Sequence, residues 1–362
     1  MGGNALKEHG AKRVTAAKAK EVSAKVCAAI DEIFREHGFD HKSHMIEAYR
    51  EKVDYGDLDI VVLEEAIRAI GLPEVAAALE VKLGVSMPYY HHNPNATNIS
   101  VGYPLEEGVL QVDLMFAEAK SFDFACKYYA NNDLGNLMTV LAKRMDKLKF
   151  GHNGLSSVFK EGGHLLGSVT FTCDFDAALE FLGYDPERYR RGFDTLEEIY
   201  EFAASSPYYN SDLYLLENLN HVARTRNRKR STYGGFLKWA EQADLPQYEW
   251  PERGQWVEKA LAAFPQASVE LHQLSEQERK RKEVRKIFNG LMVATLTGLQ
   301  GEGLGLFMEA FKKFSGEATF FDFILDQPKE ELDRKIVSFY ETYKDFPKAN
   351  PLLDQHAPEP GM

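Results

Sequence analysis

The most constraining feature of this chain is the run Gly56-Asp57-Leu58-Asp59-Ile60-Val61-Val62-Leu63. Its β-branched and apolar residues call for an extended strand. Side chains alternate across a strand, so Asp57 and Asp59 share one face while Leu58 and Ile60 point into a core. Two carboxylates stacked on one strand face repel each other, which is unfavourable unless a cation or a basic group neutralises them. Gly56 permits close backbone approach just before the first acid.

A second run, Val109-Leu110-Gln111-Val112-Asp113-Leu114-Met115-Phe116, again sets one acid inside an apolar strand. If the two strands are neighbours, Asp57, Asp59 and Asp113 converge. All-oxygen ligation suits Mg²⁺ or Mn²⁺ and not zinc. Two such ions would activate an attacking hydroxyl and stabilise a leaving pyrophosphate. No twelve-residue calcium loop, G-x-S-x-G elbow or P-loop is present.

The surrounding pattern supplies the organisation. Residues 11–37 read as one amphipathic helix closed by Gly38, with Val22, Val26, Ala29, Ile30, Ile33 and Phe34 at helical spacing. Strands are expected near 44–48, at 57–63, and as a pair at 98–103 and 109–116. Helices are expected at 64–70, from Pro73 to about 83, and at 134–148, 174–182 and 196–204. Pro246, Trp250, Pro251 and Gly254 suggest a linker, and 255–345 reads as helices before a Pro-rich tail. The expected fold is α/β (α+β): a small mixed sheet with flanking helices, then a mainly helical C-terminal region. The corresponding division is a catalytic domain at 1–165, a middle region at 166–250 and a helical domain at 251–362.

At 362 residues and 44% hydrophobic the chain can bury a substantial core. A net charge of -12 gives no global attraction to nucleic acid or anionic membrane, so any such binding must be local. The run Arg224-Thr225-Arg226-Asn227-Arg228-Lys229-Arg230, followed by Tyr233 and Trp239, has the cations and aromatics of a single-strand groove. A second run, Arg279-Lys280-Arg281-Lys282 with Arg285-Lys286, is interleaved with Glu276, Glu278 and Glu283 and reads as a solvated helix face. His91-His92 lacks metal-ligand partners nearby and reads as a polar loop. Cys27, Cys126 and Cys173 are widely spaced and read as buried free thiols. No apolar run approaches the roughly 20 residues of a membrane span. The expected compartment is the cytoplasm.

At the acidic strands the chain resembles the DNA polymerase beta-like nucleotidyltransferase superfamily, most closely the family X polymerases. The similarity runs over about residues 44–200. Its core is Tyr49-Arg50-Glu51-Lys52-Val53-Asp54-Tyr55-Gly56-Asp57-Leu58-Asp59, matching an arginine-rich turn, a lysine and Gly-Asp-x-Asp. The resemblance implies a metal triad of Asp57, Asp59 and Asp113, with Arg50 and Lys52 near a triphosphate beside Gly56. Tyr128-Tyr129-Ala130-Asn131-Asn132, then Asn136, resembles the stretch around the incoming nucleotide. Gly151-His152-Asn153-Gly154-Leu155 resembles the segment that ends the catalytic region. The family's Gly-Ser falls on Ile46-Glu47 here; the Gly-rich start Gly2-Gly3-Asn4 reads as flexible, with a phosphate-contacting turn folded back onto the site as the alternative.

The expected activity is Mg²⁺-dependent transfer of a nucleotide from an NTP or dNTP to a nucleic-acid 3′ end, held in part by Arg224, Arg226, Arg228, Lys229 and Arg230. Transfer to a protein or small-molecule acceptor is the alternative. A non-catalytic nucleotide-binding protein of the same fold is disfavoured by the intact triad. Oligomeric state is not legible in the sequence.

Overall fold

The computed structural model describes residues 5–86, 98–252, 254–316 and 319–345, and the backbone of 90–92. The Gly2-Gly3-Asn4 start, the His91 and His92 side chains and the tail from Lys348 lie outside the described residues. The protein is mixed α/β, with small sheets, flanking helices and a helical C-terminal region.

In chain order the strands are β1 (Val14–Thr15), β2 (His44–Met45), β3 (Asp54–Tyr55), β4 (Asp57–Leu63), β5 (Tyr90–His92), β6 (Asn98–Pro104), β7 (Val109–Ala117), β8 (Lys149–Gly151), β9 (Gly154–Glu161) and β10 (His164–Thr172). The helices around them are α1 (Ala16–Glu36), α2 (Glu64–Ile70), α3 (Leu72–Leu83), α4 (Phe122–Tyr129), α5 (Leu134–Arg144), α6 (Phe175–Phe181), α7 (Pro186–Arg190), α8 (Leu196–Ala203), α9 (His221–Asn227), α10 (Ser231–Gln242) and α11 (Trp256–Ala263). Then follow α12 (Pro265–Ile287), α13 (Gly290–Thr297), α14 (Gly301–Phe314), α15 (Phe320–Leu325) and α16 (Lys329–Tyr343). Contacts group the chain into two compact units, one of residues 1–158 with 168–268 and one of 159–167 with 269–362. Residues 168–268 thus group with 1–158, and 159–167, at the turn of the β9–β10 hairpin, group with the second unit.

The main sheet of the first unit has the order β2-β4-β7-β6-β5, with β4 and β7 parallel and the other pairs antiparallel. One face is apolar. Leu58, Ile60 and Val62 of β4, Ile99 and Val101 of β6, and Leu110, Val112 and Leu114 of β7 pack against α1, α2 and α3. α1 presents Val22, Val26, Ile30, Ile33 and Phe34 to this face, each fully buried. At roughly 2 kcal/mol per side chain, that stripe is a large share of what holds the helix down. α1 begins at Ala16 and not near 11, because the Thr15 hydroxyl accepts the Lys18 N–H as an N-cap and 14–15 pair with β3. Gly71 ends α2, and Pro73 sits in the first turn of α3, as the pattern requires.

The opposite sheet face is divided along its length. Val61, Met115 and Ala117 are covered by α4 through Ala125, Phe122 and Cys126. Nearer the start of β4 the same face carries Asp57 and Asp59, and β7 carries Gln111 and Asp113. α5 stops at Arg144, short of the expected 148, because Asp146 and Lys147 adopt left-handed backbone. The β9–β10 hairpin was not expected. Residues 90–92 are strand and not loop. The three cysteines are half-buried, and the Cys173 thiol donates to the Asn153 carbonyl at 3.6 Å.

The second unit is helical around Phe288, Val293, Phe307, Phe311, Ile324 and Ile336. The second basic run lies on α12 and is largely charge-balanced: Arg279 pairs with Glu276, Arg281 with Glu278, Lys286 with Glu283 and Lys280 with Asp322. Among the described residues, no single helix is long and apolar enough to cross a membrane.

Candidate active site

The parallel pairing of β4 with β7 sets Asp59 directly beside Asp113, and Asp57 beside Gln111. All three carboxylates line one cleft of about 790 Å³ in the first unit. The strands run in the same direction and keep their register. The expected convergence is therefore a consequence of backbone pairing and does not depend on particular rotamers.

The carboxylates sit in a costly environment. Asp59 lies on the cleft floor, and burial, with the charges of Asp57 and Asp113, pushes its pKa up from 3.8 to about 7. Burial raises Asp113 to about 6, against hydrogen bonds from Ser100 and Gln111 that favour the charged form. Among the described residues, no three His, Cys, Asp or Glu side chains form a ready-made metal-binding group. Asp113 accepts hydrogen bonds from the Gln111 amide at 2.9 and 3.0 Å. The donor chemistry nevertheless fits a hard divalent cation: oxygen ligands, like-charged and desolvated, in a cleft reachable from solvent. Such an ion would be held by Asp57, Asp59 and Asp113.

Cations stand around this acidic floor. Lys52 lines the cleft with its ammonium 4.2 Å from the Tyr55 ring centre. Burial holds its pKa below the ordinary lysine value, while Asp57 and Asp59 pull it upward. Arg13, which the sequence did not single out, pairs with Asp54 at 2.5 Å and lies within the field of Asp57. Arg226, Lys229 and Arg230 line the cleft from the α9–α10 corner. Arg230 pairs with Asp133, and its charge is felt at Asp59.

Several expected residues are placed otherwise. Arg50 does not line the cleft; its guanidinium is bonded to the Asp194 carboxylate and the Arg191 carbonyl. Asn136 is buried, donates to Asn227 Oδ1 at 3.1 Å and accepts from Arg226, so it braces α5 against α9. Arg224 donates to the backbone carbonyls of Leu216, Glu217 and Leu219. Arg228 is exposed and is not part of the cleft lining. Gly56 and Asn132 do line it. Asn131 and Asn132 both have φ of 59°, a left-handed turn that Asn tolerates better than most residues. Gly151 and Gly154 pair across the turn between β8 and β9.

Gln111 was missed as a site residue, although its position two residues before Asp113 placed it on the same strand face. Asp133 was missed because its role depends on a partner 97 positions away in sequence, Arg230. No protein-family model matches the chain, and no curated protein does either.

Proposed function

We propose that this chain is a divalent-metal-dependent nucleotidyltransferase of the DNA polymerase beta-like kind. The reading is carried by one observation: Asp59 and Asp113 are register partners on parallel strands and share a cation-rimmed cleft with Asp57. An acceptor hydroxyl would attack the α-phosphorus of an NTP or dNTP. A new P–O bond forms, the bond to the β-phosphate oxygen breaks, and pyrophosphate leaves with that electron pair. Bound Mg²⁺ would supply charge neutralisation for the phosphates and the leaving group. Asp113 would hold the ion that acidifies the attacking hydroxyl, whose proton passes to solvent. Lys52 and Arg230 offset the negative charge of the polyphosphate, and Asn132 contacts the nucleotide from its turn.

The acceptor we favour is a nucleic-acid 3′ end, in reach of Arg226 and Lys229. The alternative, a protein or small-molecule acceptor, is favoured by the spending of Arg224 on local carbonyls, which shortens the basic track. Incubation with Mg²⁺, each labelled NTP and dNTP, and a panel of RNA and DNA ends tests the reading. Asp57→Asn and Asp113→Asn should each lower transfer at least about 100-fold, equivalent to about 3 kcal/mol of barrier, with circular dichroism unchanged. Wild-type rates in both variants would refute it. Labelling of the protein itself or of a small molecule, with no polynucleotide extended, would select the alternative acceptor.

A further inference from the structure

The segment before α1 has no role in the reaction as drawn, yet it is built into the site. Lys12 N–H donates to the Val109 carbonyl at 2.8 Å, and Val109 N–H donates to the Gly10 carbonyl at 3.2 Å. These bonds occupy the edge of β7 just before its pairing with β4 begins at Gln111. The approach is close enough to demand glycine: a Cβ on Gly108, whose φ is +77°, would lie 2.2 Å from the Gly10 oxygen. The Leu6 side chain is 1% exposed and rests over Gly102, the register partner of Gln111 on β6.

This docking delivers two backbone donors to one side-chain oxygen. Ala5 N–H and Leu6 N–H both donate to Gln111 Oε1, at 3.0 and 3.2 Å. Gln111 is 3% exposed, so its amide depends on these protein partners. Its oxygen is saturated by the two donors, and its NH₂ must face the other way, onto both oxygens of Asp113. Flipping the amide would set N–H against N–H and oxygen against carboxylate, leaving buried groups unpaired on both sides.

We infer that residues 5–12 are a positioning strap, which through Gln111 orients the Asp113 carboxylate for a divalent cation. The inference rests on the nucleotidyltransferase reading of the three aspartates. A carboxylate has about four acceptor sites. With hydrogen bonds to Gln111 and Ser100 in place, Asp113 is turned to present its remaining capacity to the cleft. Partners of this kind behind a metal ligand typically change metal affinity by about 10–100-fold when removed.

The test is Mn²⁺ binding by the full chain, read from the electron paramagnetic resonance signal of the free ion. Gln111→Met, deletion of residues 1–6 and their combination are compared with wild type and Asp113→Asn, with melting temperatures recorded alongside. Each single change should weaken Mn²⁺ binding about 10–100-fold. The combination should be no weaker than the worse single change, since both act through one amide. Unchanged affinity in Gln111→Met, or losses that multiply in the combination, would overturn the strap and leave the triad reading standing. Wild type binding Mn²⁺ no better than Asp113→Asn would overturn the triad reading itself. If the deletion does not fold, Gln111→Met alone decides by the same criterion.

Discussion

Asp59→Asn should stabilise the metal-free protein at alkaline pH while abolishing the proposed transfer activity. In the folded chain the Asp59 carboxyl has its pKa raised from 3.8 to about 7 by burial, then by Asp57 and Asp113. The fold therefore favours the protonated form. Stability from this group is fully present below about pH 4 and is lost as pH rises through 7. The cost of holding that raised pKa in the fold is on the order of 2 kcal/mol at pH 5 and 4 kcal/mol at pH 8, both upper bounds because the cleft admits water. Asparagine keeps the shape and removes the charge. Urea unfolding in EDTA should show wild type losing up to roughly 2 kcal/mol more than Asp59→Asn between pH 5 and pH 8. On the proposed reading Mg²⁺ should stabilise wild type and not this variant, because binding to the folded state alone raises its stability. Parallel stability–pH curves for the two proteins would refute the electrostatic account.

Arg224→Ala should destabilise the fold by about 1–3 kcal/mol through three lost backbone contacts, whereas Arg228→Ala should leave the melting temperature within about a degree and nucleotide affinity unchanged. Thermal melts paired with nucleotide titration distinguish the two arginines. Asn132→Ala should cost about 1 kcal/mol from its left-handed backbone, and Asn132→Gly should be near neutral in stability; both should weaken nucleotide binding if the side chain contacts the nucleotide. Ile30→Ala, at the centre of the α1 stripe, should cost about 3 kcal/mol by denaturant titration, without changing the metal affinity of the folded protein.

Much of the sheet was legible because its rules are local. Alternation placed Asp57 and Asp59 on one face, and the strand bounds at 57–63 follow from apolar residues between Gly56 and the acidic start of α2. Gly71 and Pro73 punctuate the chain by backbone chemistry that holds in any fold. The β9–β10 hairpin escaped notice because its residues lack a clean alternation of apolar and polar side chains, although Gly162-Gly163, with φ of 55° and 83°, is a two-residue hairpin signal.

The sequence by itself determined which strands carry acids, where α1 finds its apolar face, and that three carboxylates of like charge required some compensation. Tertiary structure decided which cations provide it. Arg50 lies close to the motif in sequence, yet it is turned to Asp194, while Arg13 and Arg230 reach the cleft from distant segments. It also decided that Asn136 braces a helix and that Gln111 links the chain's first described residues to Asp113. The physical reason is range. Side-chain alternation and helix capping act over a few residues and can be read along the chain. Long side chains choose among partners brought together only when the sheet, α5 and the α9–α10 corner pack, and that choice is a property of the folded surface.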